Sequence, residues 1–237
     1  MTGHSKDSSK QLRSEGAEAR TRLLDASLRL FAERGFAKTS TREIANAAKV
    51  NISSISYYFG DKAGLYKEVF NDPRTNPEID PSLFADPQVP LRQALHALIK
   101  GLIDPLKAGD LMECCAKLHF REMLEPTGIW REEIDRVIRP AHTGLVALLC
   151  RHLDLADPDD DVHRLAFAIS GLGVTLMVSS DPIHVLRPSL IADSVAIDGY
   201  SNRMADFAMA MFESERKRRI LATGAATTGA ASTQTTP

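Results

Sequence analysis

Between Gly35 and Leu65 the chain reads GFAKTSTREIANAAKVNISSISYYFGDKAGL, and its helix-start signals follow one another too closely for any long element. Ser40-Thr41-Arg42-Glu43 is a capping box: the Ser40 hydroxyl can accept the Glu43 backbone N–H while the Glu43 carboxylate reaches back. Ile44, Ala45 and Ala48 then give a short helix its inner face. Asn51 is a second N-cap, opening a helix with Ile52, Ile55 and Phe59 at helical spacing. Gly60-Asp61-Lys62 ends that helix and caps another, in which Leu65, Tyr66, Val69 and Phe70 face inward. Read with period two, Ile55, Tyr57 and Phe59 would instead line one face of a strand, a conformation β-branched residues favour. Context decides for the helix, because two short helices separated by three or four residues, after a longer one, form a helix-turn-helix.

The longer helix comes just before. In EARTRLLDASLRLFAERGF, Leu23, Leu24, Ser27, Leu28, Phe31 and Ala32 share a face, and Gly35 followed by Phe36 predicts an αL stop with a hydrophobic contact near residue 34. Residues 71–90, NDPRTNPEIDPSLFADPQVP, carry five prolines and read as a linker or ordered loop. Amphipathic segments follow at 90–107, 109–125, 128–153 with a bend at Pro140, 160–180 and 197–219. The acidic DPDDD at 157–161 suits the start of the fourth, where Asp favours the helix dipole. The expected class is all-α. The expected division is a disordered tail over 1–17, a helix-turn-helix unit over 18–72, a linker or loop over 73–89, a helical body over 90–220, and a disordered tail over 221–237.

Composition narrows the function. Net charge is only −2, which alone argues against nucleic acid, but residues 1–72 hold twelve Lys and Arg against nine Asp and Glu while the remainder holds 17 against 22. A basic head precedes an acidic body. The longest apolar run, LAFAISGLGVTLMV, has 14 residues, short of the roughly 20 needed to cross a bilayer, and no apolar leader opens the chain, so a cytoplasmic protein without membrane contact is expected. The three cysteines form no CxxC spacing and read as buried thiols. Histidines 96, 142, 152, 163 and 184 share no metal-ligand spacing, and Asp159-Asp160-Asp161 lacks the alternation and glycine of a calcium loop, so neither a metal nor a cofactor is expected. Asn51-Ile52-Ser53 fits a glycosylation sequon that a chain without a secretion signal never presents to that machinery. Nucleophile elbows, phosphate loops and paired carboxylates are missing, which argues against an enzyme.

A helix whose outer surface is serine and tyrosine with no carboxylate lets its backbone approach an anion closely, and hydroxyls donate to phosphates or base edges. A merely solvated face is the bland alternative. The Tyr57-Tyr58 pair, Lys62 and Arg42 favour DNA contact. The run Ala19–Phe70, with RLLDASLRLFAERGF, TSTREIANAAKVN, ISYYF and GDKAGLY, resembles the N-terminal domain of TetR-type transcriptional regulators. That resemblance implies phosphate contacts from Ser40, Thr41, Tyr57 and Lys62. It implies base reading by Arg42 and by Ile52, Ser53, Ser54 and Ser56, with Asn51 and Tyr58 in the same surface. Lys49 stands where the family usually has Gly, Ser53 replaces a common Gly, Ser56 a common Tyr and Tyr58 a common His, so no operator sequence carries over. The Asn51-Ile52 start and LHFREMLEPTGIW, with Arg121-Glu122 and Pro126-Thr127, are similar to a subgroup with a CerR/CecR-like C-terminal domain.

The acidic body has two expected tasks. Segments 160–180, with Ala168, Gly171, Gly173 and Thr175, and 197–219, with Tyr200, Met204, Phe207 and Met211, are the expected homodimer surfaces. A dimer would hold two recognition helices roughly 34–36 Å apart or somewhat more, matching a pseudo-palindromic double-stranded operator. Leu102, His119, Phe120, Met123 and Trp130 are the candidate lining of a pocket for a small-molecule effector of unknown identity, plain core being the alternative. His119, Arg121 and Glu122 would orient a ligand or form a buried ion pair. The function implied is a sequence-specific regulator, a repressor released from DNA by that effector. A DNA-binding activator or architectural protein without an effector is the second possibility.

Overall fold

The computed structural model describes residues 4–75, 82–107, 109–178 and 180–230, and among these every regular element is helical. In chain order they are α1 (His4–Lys38), α2 (Thr41–Ala48), α3 (Ser53–Phe59), α4 (Lys62–Phe70), α5 (Ser82–Ala85), α6 (Leu91–Ile103), α7 (Asp110–Leu124), α8 (Ile129–Glu133), α9 (Arg139–His152), α10 (Asp160–Val178), α11 (Ser180–Leu186) and α12 (Ser194–Ala230). Residues 76–81 of the expected linker, and 1–3 and 231–237 of the expected tails, lie outside the described residues. The helices divide into two compact units, residues 1–78 with 108–134, and 79–107 with 135–237.

In the first unit α1 lies along α2, α4 and α7. Its predicted inner face is the face buried: Leu23, Leu24, Leu28 and Phe31 join Ile44, Ile55, Leu65, Tyr66 and Phe70, with Cys115 and Leu118 of α7 completing the core. Full burial of each large aliphatic or aromatic side chain contributes about 1.5–3 kcal/mol, enough for helices this short to hold each other in place where none would persist alone. Phe31, Phe36 and Tyr66 form an aromatic cluster, Tyr66 meeting the two phenyl rings edge-on at 4.9 and 5.0 Å. Two expectations about α1 are revised. It begins at His4, inside the segment expected as a tail. Gly35 does break it, but with φ 80° and ψ 169°, a conformation open only to glycine and outside the αL well, after which one more turn reaches Lys38. A Cβ at Gly35 would stand 3.3 Å from Arg121 Cδ, so any larger residue would also press on that side chain.

The second unit is a bundle in which α6 packs on α10 and α12, and α9 on α10. Leu95, Ile99, Ile103, Leu148, Leu149, Val162, Ala166, Ile169, Ala205 and Ala208 form its centre. The segment expected as one helix over 90–107 tightens into a 3-10 turn at Asp104–Lys107, because Pro105 has no N–H to continue the α ladder. The segment expected as one bent helix over 128–153 is α8, a π turn at Ile134–Ile138 and then α9, with Pro140 in the first turn of α9. The widened turn moves the Arg136 carbonyl out of the proline ring's way. Asp159 caps α10 as the acidic run suggested, its carboxylate accepting the N–H groups of Asp161 and Val162 at 3.1 and 3.0 Å. Arg219 of α12 donates to the same carboxylate at 2.7 and 2.8 Å and to Glu215 at 2.6 Å. α12 itself continues to Ala230, past the expected end at 219 and into the segment expected as a tail.

Candidate nucleic-acid interface

α2 and α3 are positioned by their caps. Ser40 Oγ accepts the Glu43 N–H at 3.2 Å and donates its own proton to Glu43 Oε2 at 2.7 Å, while the Ser40 N–H donates to the same oxygen at 2.9 Å. The carboxyl of Glu43 is held below its ordinary range, first by the Ser40 hydroxyl, and Arg34 pairs with it at 3.0 Å. At the end of α2, Lys49 adopts φ 56° and ψ 44°, the left-handed conformation that glycine enters most readily. A non-glycine residue there costs about 1 kcal/mol. The turn then delivers Asn51, whose Oδ1 accepts the Ser53 N–H at 2.9 Å and the Ser53 hydroxyl at 2.8 Å. Asn51 therefore does the capping, while Ile52 is already helical in φ and ψ. Gly60 turns the chain with φ 79°, and Asp61 Oδ1 accepts the Gly64 N–H at 2.8 Å to start α4.

Ile55 and Phe59 anchor α3 in the core, which leaves one face of the helix outside. Ser40, Arg42, Asn51, Ser53 and Ser56 are exposed, as are Ile52 at 47 % and Tyr57 at 82 %. Thr41, Ser54, Tyr58 and Lys62 are half-buried. Tyr58 packs against the core and meets the Tyr57 ring edge-on at 4.8 Å. Lys62 holds its ammonium 4.4 Å above the centre of the Phe36 ring. The residues expected at a DNA surface thus fall on α2 and its N-cap, α3, the turn between them and the first residue of α4, all within one unit, and no carboxylate shares the outward face of α3.

The expected effector residues are not gathered in the same way. Leu102 belongs to the second unit, where its Cδ1 lies 2.7 Å from where a Gly173 Cβ would stand, so it closes the α6–α10 crossing. In the first unit His119 stacks on Phe70 at 4.2 Å and its Nδ1 lies 2.9 Å from the Cys115 carbonyl oxygen. Trp130 packs against the core, whereas Phe120 and Met123 are 38 % and 48 % exposed. A cleft of 330 Å³ in this unit has a different lining, including Phe36, Tyr66, Arg121, Pro126 and Thr127. Of the residues expected at a dimer surface, Ala168, Thr175 and Phe207 are exposed and Gly171, Tyr200 and Met211 half-buried; Gly173 and Met204 are buried and belong to the core of their own unit.

Glu122, open on sequence between ligand binding and an ion pair, is engaged by hydrogen bonds within its own unit. It lies on α7 fully buried, and its carboxylate accepts the Tyr66 hydroxyl at 2.7 Å, the Thr127 N–H at 2.6 Å and the Thr127 hydroxyl at 2.9 Å. Burial, and then the neighbouring carboxylate, raise the Tyr66 phenol well above its usual range. Arg121 turns elsewhere, to the Ala32 and Glu33 carbonyls. The pattern Met112, Cys115, Leu118, Glu122 places a carboxylate on the buried stripe of α7, and that misfit was the available signal. The thiols are as expected for Cys115 and Cys150, both buried, with burial pushing Cys115 up to about 11; Cys114 is half-buried.

A capped helix pair presenting a carboxylate-free face, in front of a helical body, defines a helix-turn-helix regulator. Residues 23–69 match the model for bacterial regulatory proteins of the tetR family, and residues 91–213 match that for the C-terminal domain of the HTH-type transcriptional dual regulator CecR. The chain belongs to the tetR family, with a C-terminal domain of the CecR type. It is 35 % identical to CecR of Shigella flexneri over 147 residues, 57 % of this chain and 65 % of that protein. It is 31 % identical over 109 residues to the regulator AcrR of the same organism, 44 % of this chain and 51 % of that one. The chain thus spans half to two thirds of the length of these relatives. Among solved structures, the haemolysin II regulator HlyIIR shares the fold with a TM-score of 0.55 at 22 % identity, covering 75 % of this chain and 97 % of its own. The Bacillus subtilis regulator FadR in complex with stearoyl-CoA has a TM-score of 0.56 at 17 % identity, covering 79 % and 96 %. Regulators of this family bind DNA operators and typically act as dimers. Among the described residues no single helix is long and apolar enough to cross a membrane, and no group of three or more His, Cys, Asp or Glu is placed to hold a metal ion.

Proposed function

We propose that this protein is a cytoplasmic, non-enzymatic repressor whose homodimer binds a pseudo-palindromic operator and is released by a small-molecule effector. The observation that carries it is the outward face of α3, where Ile52, Ser53, Ser56 and Tyr57 stand exposed on a helix fixed from below by Ile55 and Phe59. Tyr57, Lys62, Ser40 and Thr41 are assigned to phosphates, and Arg42, Ile52, Ser53, Ser54 and Ser56 to base edges. Asn51 keeps its capping role, and Tyr58 supports Tyr57. Residues 18–72 are the DNA-binding part and 90–220 the part that dimerises and senses, a functional division that cuts across the packing units because α7 and α8 pack with the DNA-binding helices.

Dimerisation is assigned to α10 and α12. Phe167 and Val174 on α10 and Phe207 on α12 are 63 %, 42 % and 43 % exposed, and between the helices runs a groove whose lining includes Leu165, Ala168, Ala210 and Met211. Effector release is assigned to movement of α4, since α4 directly follows the recognition helix and the Tyr66–Glu122 bond ties it to α7. Shifting occupancy from bound to free needs the effector to prefer one state by about 5 kcal/mol.

A gel-shift titration on the DNA upstream of the protein's own gene tests the assignment. Tyr57→Ala with Lys62→Ala should weaken binding on every sequence, whereas Arg42→Ala should relax preference at one or two base pairs. Unchanged binding by the Tyr57/Lys62 double variant would remove the phosphate assignment.

A further inference from the structure

We infer that the 330 Å³ cleft of the first unit is the effector site and that it takes a small aromatic carboxylate. This deepens the release proposed above and rests on it, adding where the effector sits and what its chemistry is.

Three stretches of chain build the cleft. Phe36 comes from the last turn of α1, Tyr66 from α4, Arg121 from α7, and Glu125, Pro126 and Thr127 from the segment that follows α7. Tyr66 is buried, Phe36 and Arg121 are half-buried, and Glu125, Pro126 and Thr127 are exposed, so the space runs from a polar rim to aromatic walls. Its volume stands at the low end for small-molecule sites, which limits the ligand to a ring with a short side chain. The Phe36 and Tyr66 rings meet edge-on at 5.0 Å, and a ligand ring extends the same kind of contact.

Among the described residues the lining carries a single cation, Arg121. Its Nε and Nη2 donate to the Ala32 and Glu33 carbonyls at 3.4 and 3.1 Å, which fixes the guanidinium plane. Nη1 donates no hydrogen bond among the described residues; it has only an ion pair with Glu125 Oε2, at 3.5 Å and on a side chain 71 % exposed. Water screens a pair that long and that exposed, so it holds little. A ligand carboxylate takes Nη1 and the second N–H of Nη2 as a bidentate fork, and Glu125 turns out to water. The aromatic walls and the nearby Glu125 charge favour a singly charged carboxylate on an apolar body over free phosphate. Thr127 Oγ1 donates its proton to Glu122, which leaves its lone pairs as acceptors for a hydroxyl or amine on the ligand ring.

Two of the walls also position the DNA contacts. Lys62 holds its ammonium over the Phe36 ring, and Tyr66 ties α4 to α7 through Glu122. A ligand pressed on Phe36 and Tyr66 acts at once on the first residue of α4 and on the tie of α4 to α7. It lowers DNA affinity by as much as it prefers the unbound arrangement of those two residues.

The test is isothermal titration calorimetry of the full chain with benzoate, 3-phenylpropanoate and the neutral amide of each. In wild type at least one acid should bind about ten-fold or more tightly than its amide. Glu125→Gln removes the competing carboxylate and should tighten the acid several-fold while leaving the amide unchanged. Arg121→Gln should bring acid and amide together, and Arg121→Lys, which keeps the charge without the fork, should restore part of the difference. In a gel shift on the upstream DNA, saturating acid should lower wild-type affinity about ten-fold and leave that of Arg121→Gln as it was. Acids that bind wild type no better than their amides, or that bind Arg121→Gln as tightly as wild type, overturn the inference and leave release by another effector standing. An acid that binds through Arg121 yet leaves DNA affinity unchanged overturns release through this cleft, so the two failures are told apart. Circular dichroism confirms that each variant is folded, and Glu125→Gln, whose side chain lies largely in water, tests the site even where Arg121→Gln does not fold.

Discussion

Replacing Tyr66 by Phe removes one hydroxyl and nothing else. The ring keeps its edge-on contacts with Phe31 and Phe36, and no cavity larger than an oxygen atom opens. What disappears is a 2.7 Å bond to a fully buried carboxylate. Glu122 Oε1 retains both bonds from Thr127, but Oε2 is deprived of the donor from Tyr66. A hydrogen bond to a charged group contributes about 1.5–3 kcal/mol, so Tyr66→Phe should lower stability by about 2 kcal/mol. Glu122→Gln keeps the shape and one carbonyl acceptor and should cost about 1–2 kcal/mol. Because the two residues share one bond, the double variant should fall short of the sum by about 0.5–3 kcal/mol. Urea unfolding of the four proteins, followed by circular dichroism at constant protein concentration, measures all three quantities. Additive effects, or a Tyr66→Phe midpoint indistinguishable from wild type, would show that the bond does not hold α4 to α7, and the route proposed for effector release would go with it.

Lys49→Gly should raise stability by no more than about 0.5 kcal/mol, the left-handed strain relieved less the extra freedom glycine has when unfolded, measured by the same unfolding titration. The acid side is set in part by Asp159, whose carboxyl is held below its ordinary 3.8, first by the hydrogen bond from Arg219. A depressed folded-state value means that stability is present in full above the ordinary value and is lost as pH falls from about 3.8 toward the folded one. Melting temperature against pH should therefore drop less steeply below pH 4 in Arg219→Gln than in wild type, and equal slopes would contradict the role given to that ion pair.

Much of this was legible in local pattern. The caps at Ser40, Asn51 and Asp61 are one-residue signals whose partners lie two or three positions away, so nothing distant is needed to read them. The inward face of α1 is a plain 3.6-residue repeat. Apart from the longer ends of α1 and α12, the departures are long-range or steric. Arg121, 86 positions later, packs beside Gly35, and a sequence window around the glycine cannot contain that. Pro140 was expected to bend a helix, and the chain relieves the clash one turn earlier by widening. Gly173 and Met204 have the spacing of a docking face, yet Gly173 is small because Leu102 crosses there and Met204 fills its own core.

If α3 reads bases as proposed, the Asn51–Ser53 pair makes each such contact an exchange. The Ser53 hydroxyl is already donating before any base arrives, so engaging a base edge swaps one bond for another. Ile52, 47 % exposed, offers only shape and a preference for thymine methyl groups. Expressed as information, α3 would contribute a fraction of a bit at each of many positions and a full choice at few of them. An operator for such a reader is long and shallow in its consensus, tolerant of single substitutions, and told apart from the rest of a genome by the sum of its weak letters.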